Sequence, residues 1–198
     1  PDGRLEAFRY DGYGGLIEHE NGAGERTTIS RDSSGRVVAV TSPGGGETRY
    51  RYDRAGTVRE RLVIVGGSRQ VTRYVRDGNG FVSRVNHPDG SSESFVHNAY
   101  GELVAHTSVL GFTTTYIRRA DGRVTETQFS DGTFERREFD ERKDLVLEAD
   151  RLGHETRYTY DDRHLLTRVE RERTVDPRRN EHVTDAVHYR SEERRVGK

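Results

Sequence analysis

The chain has 198 residues, 33 basic against 34 acidic residues, a formal net charge of −1 and a hydrophobic share of only 30%. This share is low for a globular domain and argues against a thick, two-layered core. The balanced charge gives no field that would attract nucleic acid or an anionic membrane. Cysteine is absent, which excludes disulfides and thiolate metal sites. No stretch approaches the roughly 20 apolar residues that a membrane-spanning helix needs, so we expect neither a nucleic-acid partner nor a membrane span.

Two further features of the composition indicate what kind of protein and organism the chain comes from. Methionine is absent, so we expect the chain to be an internal piece of a longer protein. All basic residues except Lys143 and Lys198 are arginines, a bias that indicates a bacterium with GC-rich coding.

A repeat of about 21 residues runs through residues 1–170. Its eight anchors follow one another at intervals of 21 residues, with one interval of 24: Asp11, Asp32, Asp53, Asp77, Asn98, Arg119, Asp140 and Asp161. Glycine stands three residues after six of the anchors, and Lys143 and His164 occupy this position in the other two units. A second glycine follows thirteen residues after seven of the anchors: Gly24, Gly45, Gly66, Gly90, Gly111, Gly132 and Gly153.

The two glycines predict two turns in each unit. Asp-x-x-Gly places an acceptor side chain at the first position of a type I turn and glycine at the fourth, where a positive φ costs least. Segments such as Pro88-Asp89-Gly90 and Ser130-Asp131-Gly132 favour a hairpin turn at the second site.

Two runs of about six residues lie between the turns, the length of typical strands. The fifth residue after every anchor is Leu or Val, and aromatic residues recur one and three positions before the anchors, as in Tyr50 and Tyr52. Spacing of two places both rings on one face of a strand, and the residues between them are polar. We expect stacked antiparallel hairpins in which the aromatic positions of successive units pack ring against ring and the Leu/Val positions form an apolar ladder.

Two regions depart from the period. Three extra residues in the third unit, around Gly67, Ser68 and Arg69, predict a longer hairpin tip or a bulge. Residues 171–189 are polar and lack the turn glycines, which predicts an inserted loop leading to a next repeat. Asp176-Pro177 inside this segment is interpreted as a turn.

The units Tyr50-Arg51-Tyr52-Asp53-Arg54-Ala55-Gly56 and Tyr158-Thr159-Tyr160-Asp161 resemble the YD motif of the RHS/YD-repeat family. That family includes bacterial RHS toxins, Tc-type insecticidal toxin components and teneurins. The resemblance implies an all-β fold, an array of antiparallel β-hairpins that forms part of a spiralling single-sheet shell. It also implies a secreted or cell-surface bacterial protein whose shell encloses and helps to deliver a C-terminal toxin domain. The partners implied are the remainder of the shell, the toxin domain and a secretion apparatus.

No catalytic, cofactor or metal site is expected within the chain. The family's aspartate-based self-cleavage junction has no recognisable counterpart, so no catalytic residue can be assigned by resemblance. His19 and His106 share a sheet face but are separated by four units, too far for shared coordination, and His97 is interpreted as a substitute for an aromatic ring. The 21-residue period does not suit calcium-binding β-rolls, which have repeats of about nine residues. Two repeats would match a β-propeller blade of about 40 residues, but consecutive repeats show no alternation, which argues against a propeller. Acidic residues are too numerous to nominate a glycosidase pair.

Two interpretations therefore stand side by side. The chain is a structural, non-enzymatic part of a toxin shell, or it is a repeat module that binds carbohydrate or a cell surface through its regularly spaced rings. Separately, residues 190–198 resemble a translated sequencing-library adapter, and we expect them to be non-native.

Overall fold

A computed structural model describes residues 5–176 and 181–189 of the chain. This described part forms strands and turns and contains no helix, and hence no helix that could cross a membrane. The seventeen strands are β1 Ala7–Tyr10, β2 Leu16–Glu20, β3 Arg26–Arg31, β4 Val37–Thr41, β5 Glu47–Tyr52, β6 Val58–Val65, β7 Ser68–Arg76, β8 Val82–Asn86, β9 Ser92–His97, β10 Leu103–Thr107, β11 Thr113–Arg118, β12 Val124–Phe129, β13 Phe134–Phe139, β14 Leu145–Ala149, β15 Glu155–Tyr160, β16 Leu166–Asp176 and β17 Glu181–His188.

The strands pair in chain order, each antiparallel to its neighbours in the sequence. Contacts divide the chain into two units, Pro1–Ser94 and Phe95–Lys198, with the boundary inside β9. The first unit contains the hairpins of β1 to β8, and the second contains those of β10 to β17. The predicted all-β array of antiparallel hairpins is confirmed.

The turns repeat a single hydrogen-bonded geometry. At Asp53, the backbone N–H donates to the Thr57 carbonyl (2.9 Å), and the Gly56 N–H donates to the Asp53 carbonyl (3.1 Å). Gly56 has a φ of 81°, and the ladder register shifts next to it, between Arg51 and Tyr52. This is a type I turn followed by a bulge residue in the left-handed region, a common three-residue hairpin loop. The second turns of the repeats, such as the one that begins at Ser42, use the same pattern, except the tip at Gly66 and Gly67.

The anchor side chains complete these turns. The Asp53 Oδ1 atom accepts a hydrogen bond from the Thr57 N–H at 2.9 Å, and the Asn98 Oδ1 atom accepts one from the Glu102 N–H at 3.1 Å. The predicted role of the aspartate anchors as turn acceptors is therefore confirmed, whereas in the turn of Arg119 the Asp121 side chain accepts the hydrogen bond instead. It also explains why asparagine can replace aspartate at an anchor.

Lys143 and His164 adopt the backbone conformation that glycine has in the other units. Their φ angles are 75° and 61°, and no other non-glycine residue among the described ones has a positive φ. Side chains at such positions strain the backbone. These two turns therefore have the same backbone conformation as the others, although they lack the glycine that adopts a positive φ most easily.

The third repeat, which begins at Asp53, does not have the longer tip that the sequence predicted. Val65 pairs directly with Ser68 across a two-residue turn, and both residues of that turn, Gly66 and Gly67, have positive φ. A tight turn of this kind requires positive φ at both central positions, which glycine supplies. The extra residues instead lengthen the two strands, which have eight and nine residues.

The predicted inserted loop over residues 171–189 is also corrected. Strand β16 continues to Asp176, and β17 pairs with it, so that Arg171 lies opposite Asp185. Backbone pairing does not require apolar side chains, and the β-branched residues in these segments favour extended structure. The Asp176-Pro177 turn and the non-native tail at residues 190–198 fall outside the described residues, apart from Asp176 itself.

Each strand has two distinct faces. We call the face that bears the residue three before the anchor the ring face, and the opposite one the charged face. On the ring face, that residue lies opposite the residue eight after the anchor: Phe8 with His19, Ile29 with Val40, Tyr50 with Arg61, Tyr74 with Val85, Tyr116 with Thr127, Arg137 with Glu148 and Tyr158 with Val169. Rings of successive units are thus two strands apart, about 9.6 Å, beyond the range of ring–ring contact. The expected packing of ring on ring is wrong, because a non-ring residue or a histidine lies between.

The sheet has little interior. Leu62, Leu147 and Val169 are the buried hydrophobic residues of the described part. The Leu/Val ladder is half-buried in all eight units. The accessible surface is 14541 Å², whereas a compact monomer of this mass exposes about 9,500 Å². The low hydrophobic share of the sequence therefore corresponds to a sheet that no second layer covers.

Candidate functional surface

At Asp32, Asp53, Asp77 and Arg119, the residue before the anchor connects its hairpin to the preceding one. Arg118 donates from Nη1 to the Gly122 carbonyl in its own turn (2.8 Å) and from Nη2 to the Leu103 carbonyl in the preceding unit (3.0 Å). Tyr52 donates from its hydroxyl to the equivalent carbonyl, that of Val37, at 2.6 Å. We call this contact the staple. Arg31 and Arg76 make it as well, with longer hydrogen bonds to Leu16 and Val58.

Arginines also cover aromatic rings near the turns. The Arg36 guanidinium lies 4.6 Å from the centre of the Tyr52 ring, and Arg123 lies 5.3 Å from that of Phe139. Both arginines stand four residues after an anchor and cover the ring that precedes the next anchor. Such cation–π contacts add attraction between consecutive turns.

Ion pairs connect the last two anchor turns, those of Asp140 and Asp161. His164 Nδ1 lies 2.6 Å from Asp144 Oδ2 in the preceding turn, and Arg142 lies 3.7 Å from Asp162. Burial, followed by the charge of Asp144, raises the pKa of the Tyr160 hydroxyl. The strained residue His164 thus makes a contact with the neighbouring turn that glycine could not make.

The histidines considered for metal binding have other contacts. His19 stacks on Phe8 with ring centres 4.7 Å apart and lies 3.2 Å from Glu6. His106 stacks on Phe95 at 4.8 Å, and His97 is half-buried at a position that elsewhere holds a ring. Within residues 5–176 and 181–189, no three His, Asp or Glu side chains are arranged to hold a metal ion.

The charged face carries short ion pairs. Glu60 lies between Arg51 (3.5 Å) and Arg73 (3.2 Å) on the two flanking strands, and Arg168 lies 2.7 Å from Glu170. The arginine stems also cover apolar side chains, as Arg157 lies opposite the buried Leu147. The charges of this face are therefore largely satisfied within the sheet.

The ring face of the second half of the chain, which begins at Phe95, contains a polar cleft. Its volume is about 560 Å³, and it is lined mainly by charged residues of β13 to β17 and the adjoining turn: Glu135, Arg136, Arg137, Glu148, Ala149, Asp150, His154, Thr156, Arg171 and Asp185. Arg137 stands where other units carry a ring or isoleucine, so the cleft opens where that apolar side chain is missing. Arg137 was not among the residues expected from the sequence to form a site, although the 21-residue period places it in an otherwise apolar position.

Two side chains of the cleft lean away from each other. Arg137 lies directly opposite Glu148 across β13 and β14. Its guanidinium, however, approaches Glu135 at 3.8 Å, while Glu148 accepts a hydrogen bond from the Tyr158 hydroxyl. Burial and this contact raise the pKa of Tyr158 to about 12, so the phenol remains a donor at neutral pH. The arrangement can bind polar and charged groups.

Comparisons with known proteins identify the repeat. Residues 31–69 match the family model RHS Repeat, which confirms the recognition of RHS/YD repeats in the chain. The chain is 32% identical over 104 residues to the double-stranded DNA deaminase toxin A of Burkholderia cenocepacia (strain H111). That match covers 52% of this chain but only 7% of the toxin.

Solved structures share the fold at low identity. The crystal structure of TcdB2-TccC3-TEV aligns with a TM-score of 0.61 and 14% identity, over 86% of this chain and 11% of that chain. The Photorhabdus luminescens Tc holotoxin pore aligns with a TM-score of 0.52 and 12% identity, over 94% of this chain and 13% of that chain. The chain is thus similar to a small part of much longer toxin-associated proteins.

Proposed function

We propose that the chain is a segment of the wall of a hollow RHS-repeat shell, which encloses a C-terminal toxin domain and helps to deliver it in competition between bacteria. The observation that carries this proposal is the single-layered sheet, which exposes far more surface than a compact domain of its mass. A wall needs this architecture, since both of its faces must meet something other than its own core. The similarity to a deaminase toxin and to Tc toxin structures supports the same role.

In this proposal the chain acts mechanically and carries out no reaction. Its staples and turn-to-turn ion pairs join hairpins to the preceding ones at several places along the repeat, which supports a continuous wall. The partners are the remainder of the shell, the enclosed toxin domain and a secretion apparatus. We infer that the protein acts outside the cell or at its surface.

The test is protection of the toxin domain in the complete shell protein. Limited proteolysis of the native protein should leave the toxin domain intact, whereas the same domain expressed alone should be digested under identical conditions. Equal digestion of the enclosed and free domains would contradict the shell. Purified shell without its toxin domain should give no turnover in hydrolase, nuclease and glycosidase screens, and turnover abolished by a point mutation in this chain would contradict a purely structural role.

The alternative of a carbohydrate-binding module predicts a different result. Strand rings such as Tyr50, Tyr74 and Tyr158 are half-buried against their sheet neighbours, which leaves less of each ring for stacking on a sugar. Fully exposed aromatic residues, such as Tyr13 and Tyr100, instead occupy separate turn tips. Specific binding of the shell to a glycan array, lost when Tyr13 and Tyr100 are changed to Ala, would favour the alternative.

A further inference from the structure

Asparagine stands directly before glycine at two places in the chain, Asn21-Gly22 and Asn79-Gly80. Asparagine is one of the chemically labile residues, because the backbone nitrogen that follows it can attack the carbon of its side-chain amide. Glycine hinders this attack least, since it has no Cβ atom. A third asparagine, Asn98, precedes alanine and begins a turn with the same backbone hydrogen bonds as the turn of Asn21. The surroundings of the three side chains differ in ways that decide which of them reacts.

The side chain of Asn21 is held in place at its turn. Its Oδ1 atom accepts hydrogen bonds from the Ala23 N–H (2.9 Å) and the Glu25 N–H (3.0 Å), and its Nδ2 atom donates to Glu25 Oε2 at 2.7 Å. Two donors on the carbonyl oxygen stabilise the negative charge that this oxygen gains during nucleophilic attack. The Gly22 N–H, which belongs to the attacking nitrogen, makes no backbone hydrogen bond with any residue that the structure describes. The nucleophile is therefore not tied to another part of the turn.

Asn98 has the same contacts but a different attacking residue. Its Oδ1 atom accepts hydrogen bonds from the Tyr100 N–H (3.0 Å) and the Glu102 N–H (3.1 Å), and its Nδ2 atom donates to Glu102 at 2.8 Å. The residue that follows is Ala99, whose Cβ atom stands next to the attacking nitrogen and obstructs ring closure. The two turns thus form a matched pair in which the asparagine contacts agree and the nucleophile differs.

Asn79 precedes glycine but lies at the third position of its turn. The Gly80 N–H donates to the Asp77 carbonyl at 3.1 Å, and Gly80 has a φ of 88°. Because this hydrogen bond closes the turn, attack by the Gly80 nitrogen has to break it. The fold therefore protects Asn79, although its local sequence is as reactive as that of Asn21.

We propose that Asn21 is a site of spontaneous deamidation, which the fold leaves open while it protects the second Asn-Gly pair. The Gly22 nitrogen forms a bond to Cγ of Asn21, the bond from Cγ to Nδ2 breaks, and the side-chain nitrogen leaves as ammonia with the proton that the Gly22 nitrogen gives up. Water then adds to either carbonyl of the resulting succinimide ring and opens it. The products are aspartate and isoaspartate, in which the backbone runs through the former side chain.

The aspartate product fits the turn but changes its electrostatics. Asp150 occupies the equivalent position in a later repeat, where its Oδ1 atom accepts hydrogen bonds from the Leu152 N–H (2.8 Å) and the His154 N–H (2.9 Å). Aspartate at position 21 faces Glu25 instead of a histidine, so that repulsion between two carboxylates replaces a hydrogen bond of 2.7 Å. Isoaspartate lengthens the backbone and disturbs the strand register beyond the turn. Deamidation therefore loosens the hairpin of β2 and β3 as the protein ages.

The test is to age the full chain in mildly alkaline buffer and to follow each asparagine by peptide mapping with mass spectrometry. We expect Asn21 to convert about tenfold faster than Asn98, a difference of about 1.4 kcal/mol in the activation barrier. Asn79 should also remain behind Asn21 as long as the chain is folded. Gly22→Ala, at a position without a positive φ, should slow conversion at position 21 to the rate of Asn98. Ala99→Gly should accelerate conversion at position 98.

Unfolding separates the effect of the fold from that of the local sequence. In urea both Asn-Gly pairs lose their turns, so Asn21 and Asn79 should convert at the same rate. If Asn79 converted as fast as Asn21 in the folded chain, the hydrogen bond of Gly80 would give no protection and the proposal would be wrong. Unchanged rates in Gly22→Ala and Ala99→Gly would overturn the role of the following residue. Should Gly22→Ala fail to fold, Ala99→Gly tests the same step.

Hydrogen exchange of the aged chain tests the structural consequence. The deamidated fraction should exchange the amides of β2 and β3 severalfold faster than the fresh chain, and those of β14 and β15, whose turn begins with Asp150, at an unchanged rate. Equal exchange of β2 and β3 in the fresh and deamidated chains would contradict the loosening of this hairpin.

Discussion

The Tyr52 hydroxyl donates a 2.6 Å hydrogen bond to the carbonyl of Val37, fifteen residues earlier in the chain. Arg118 reaches the Leu103 carbonyl across the same separation. Phenol and guanidinium are chemically different, but both bring a donor to the end of a long side chain. In these repeats the shared feature is therefore a donor at this place rather than a residue type, whereas Phe139 at the equivalent position has no donor.

The staple can be tested by removing one oxygen. Tyr52→Phe leaves the Val37 carbonyl without this donor, and we expect a loss of about 1 kcal/mol in the local opening free energy of the hairpin. Tyr50→Phe on the same strand is the matched control. Native-state hydrogen exchange of the complete shell protein measures both, and equal losses would mean that the ring, not the hydroxyl, stabilises the hairpin.

The strained turns predict a gain of stability. Lys143→Gly replaces a residue at a φ of 75° by the one that tolerates it, and should stabilise its hairpin by about 1 kcal/mol. His164→Gly should gain less, because it also loses the contact with Asp144. Lys143→Ala, which keeps the strained backbone, is the control. If Ala and Gly had the same effect at this position, the conformational explanation would be wrong.

The second turns predict a cost that depends on backbone shape alone. Gly90 has a φ of +87°, and a Cβ atom added there would meet nothing within 4 Å. Gly90→Val should therefore cost about 1–3 kcal/mol through strain, and Gly90→Asn should cost less, since asparagine tolerates this region. Ser91→Val, next to the turn, should have a small effect. Hydrogen exchange of the amides in β8 and β9 measures both effects. If Gly90→Val and Ser91→Val weakened the two strands equally, the turn would have been assigned to the wrong residues.

Acid should weaken the anchor turns. The Thr57 hydroxyl and N–H lower the pKa of Asp53, and the N–H groups of Gly15 and Leu165 lower those of Asp11 and Asp161. A carboxyl group with a lower pKa in the folded state contributes stability above its unfolded value, about 3.9, and this contribution is lost as the pH falls towards the folded value. We expect the unfolding free energy to decline below about pH 4.

A single substitution separates the anchor from other acidic groups. Asp53→Asn keeps the acceptor oxygen, as Asn98 does in the same role, but cannot titrate. Unfolding measured from pH 7 to pH 3 should show a shallower acid loss in this variant than in the parent. An identical slope would show that Asp53 does not contribute to the acid dependence.

Local chemistry made the turns predictable from the sequence. Asp-x-x-Gly determines both the acceptor and the positive φ within five residues, so Asp53 and Gly56 have the geometry expected of them. The antiparallel array then follows, since two turns in every unit leave no other path for the chain. The tight turn at Gly66 and Gly67 was not predicted, because the three extra residues of this repeat were assigned to the hairpin tip. In the structure they lengthen the two strands.

The candidate site was less accessible to sequence reasoning. The cleft beside Arg137 depends on strand register across β13 to β17, and the sequence predicted a loop over residues 171–189, which include the end of β16 and all of β17. The staple depends on how far Tyr52 and Arg118 extend across neighbouring strands, which spacing alone does not show. The period nevertheless contained one usable signal, the arginine at a position that elsewhere holds a ring or isoleucine.

The fixed reach of the staple has a consequence for how such chains evolve. A hairpin such as that of Tyr52 is tied to the one before it and supplies, through Val58, the carbonyl for the one after it, so a duplicate of such a repeat arrives with both halves of the connection. Duplication or loss of whole units in the gene would leave every remaining junction intact. The length of the repeat array could therefore change by recombination between repeats, without any compensating substitution elsewhere in the sheet.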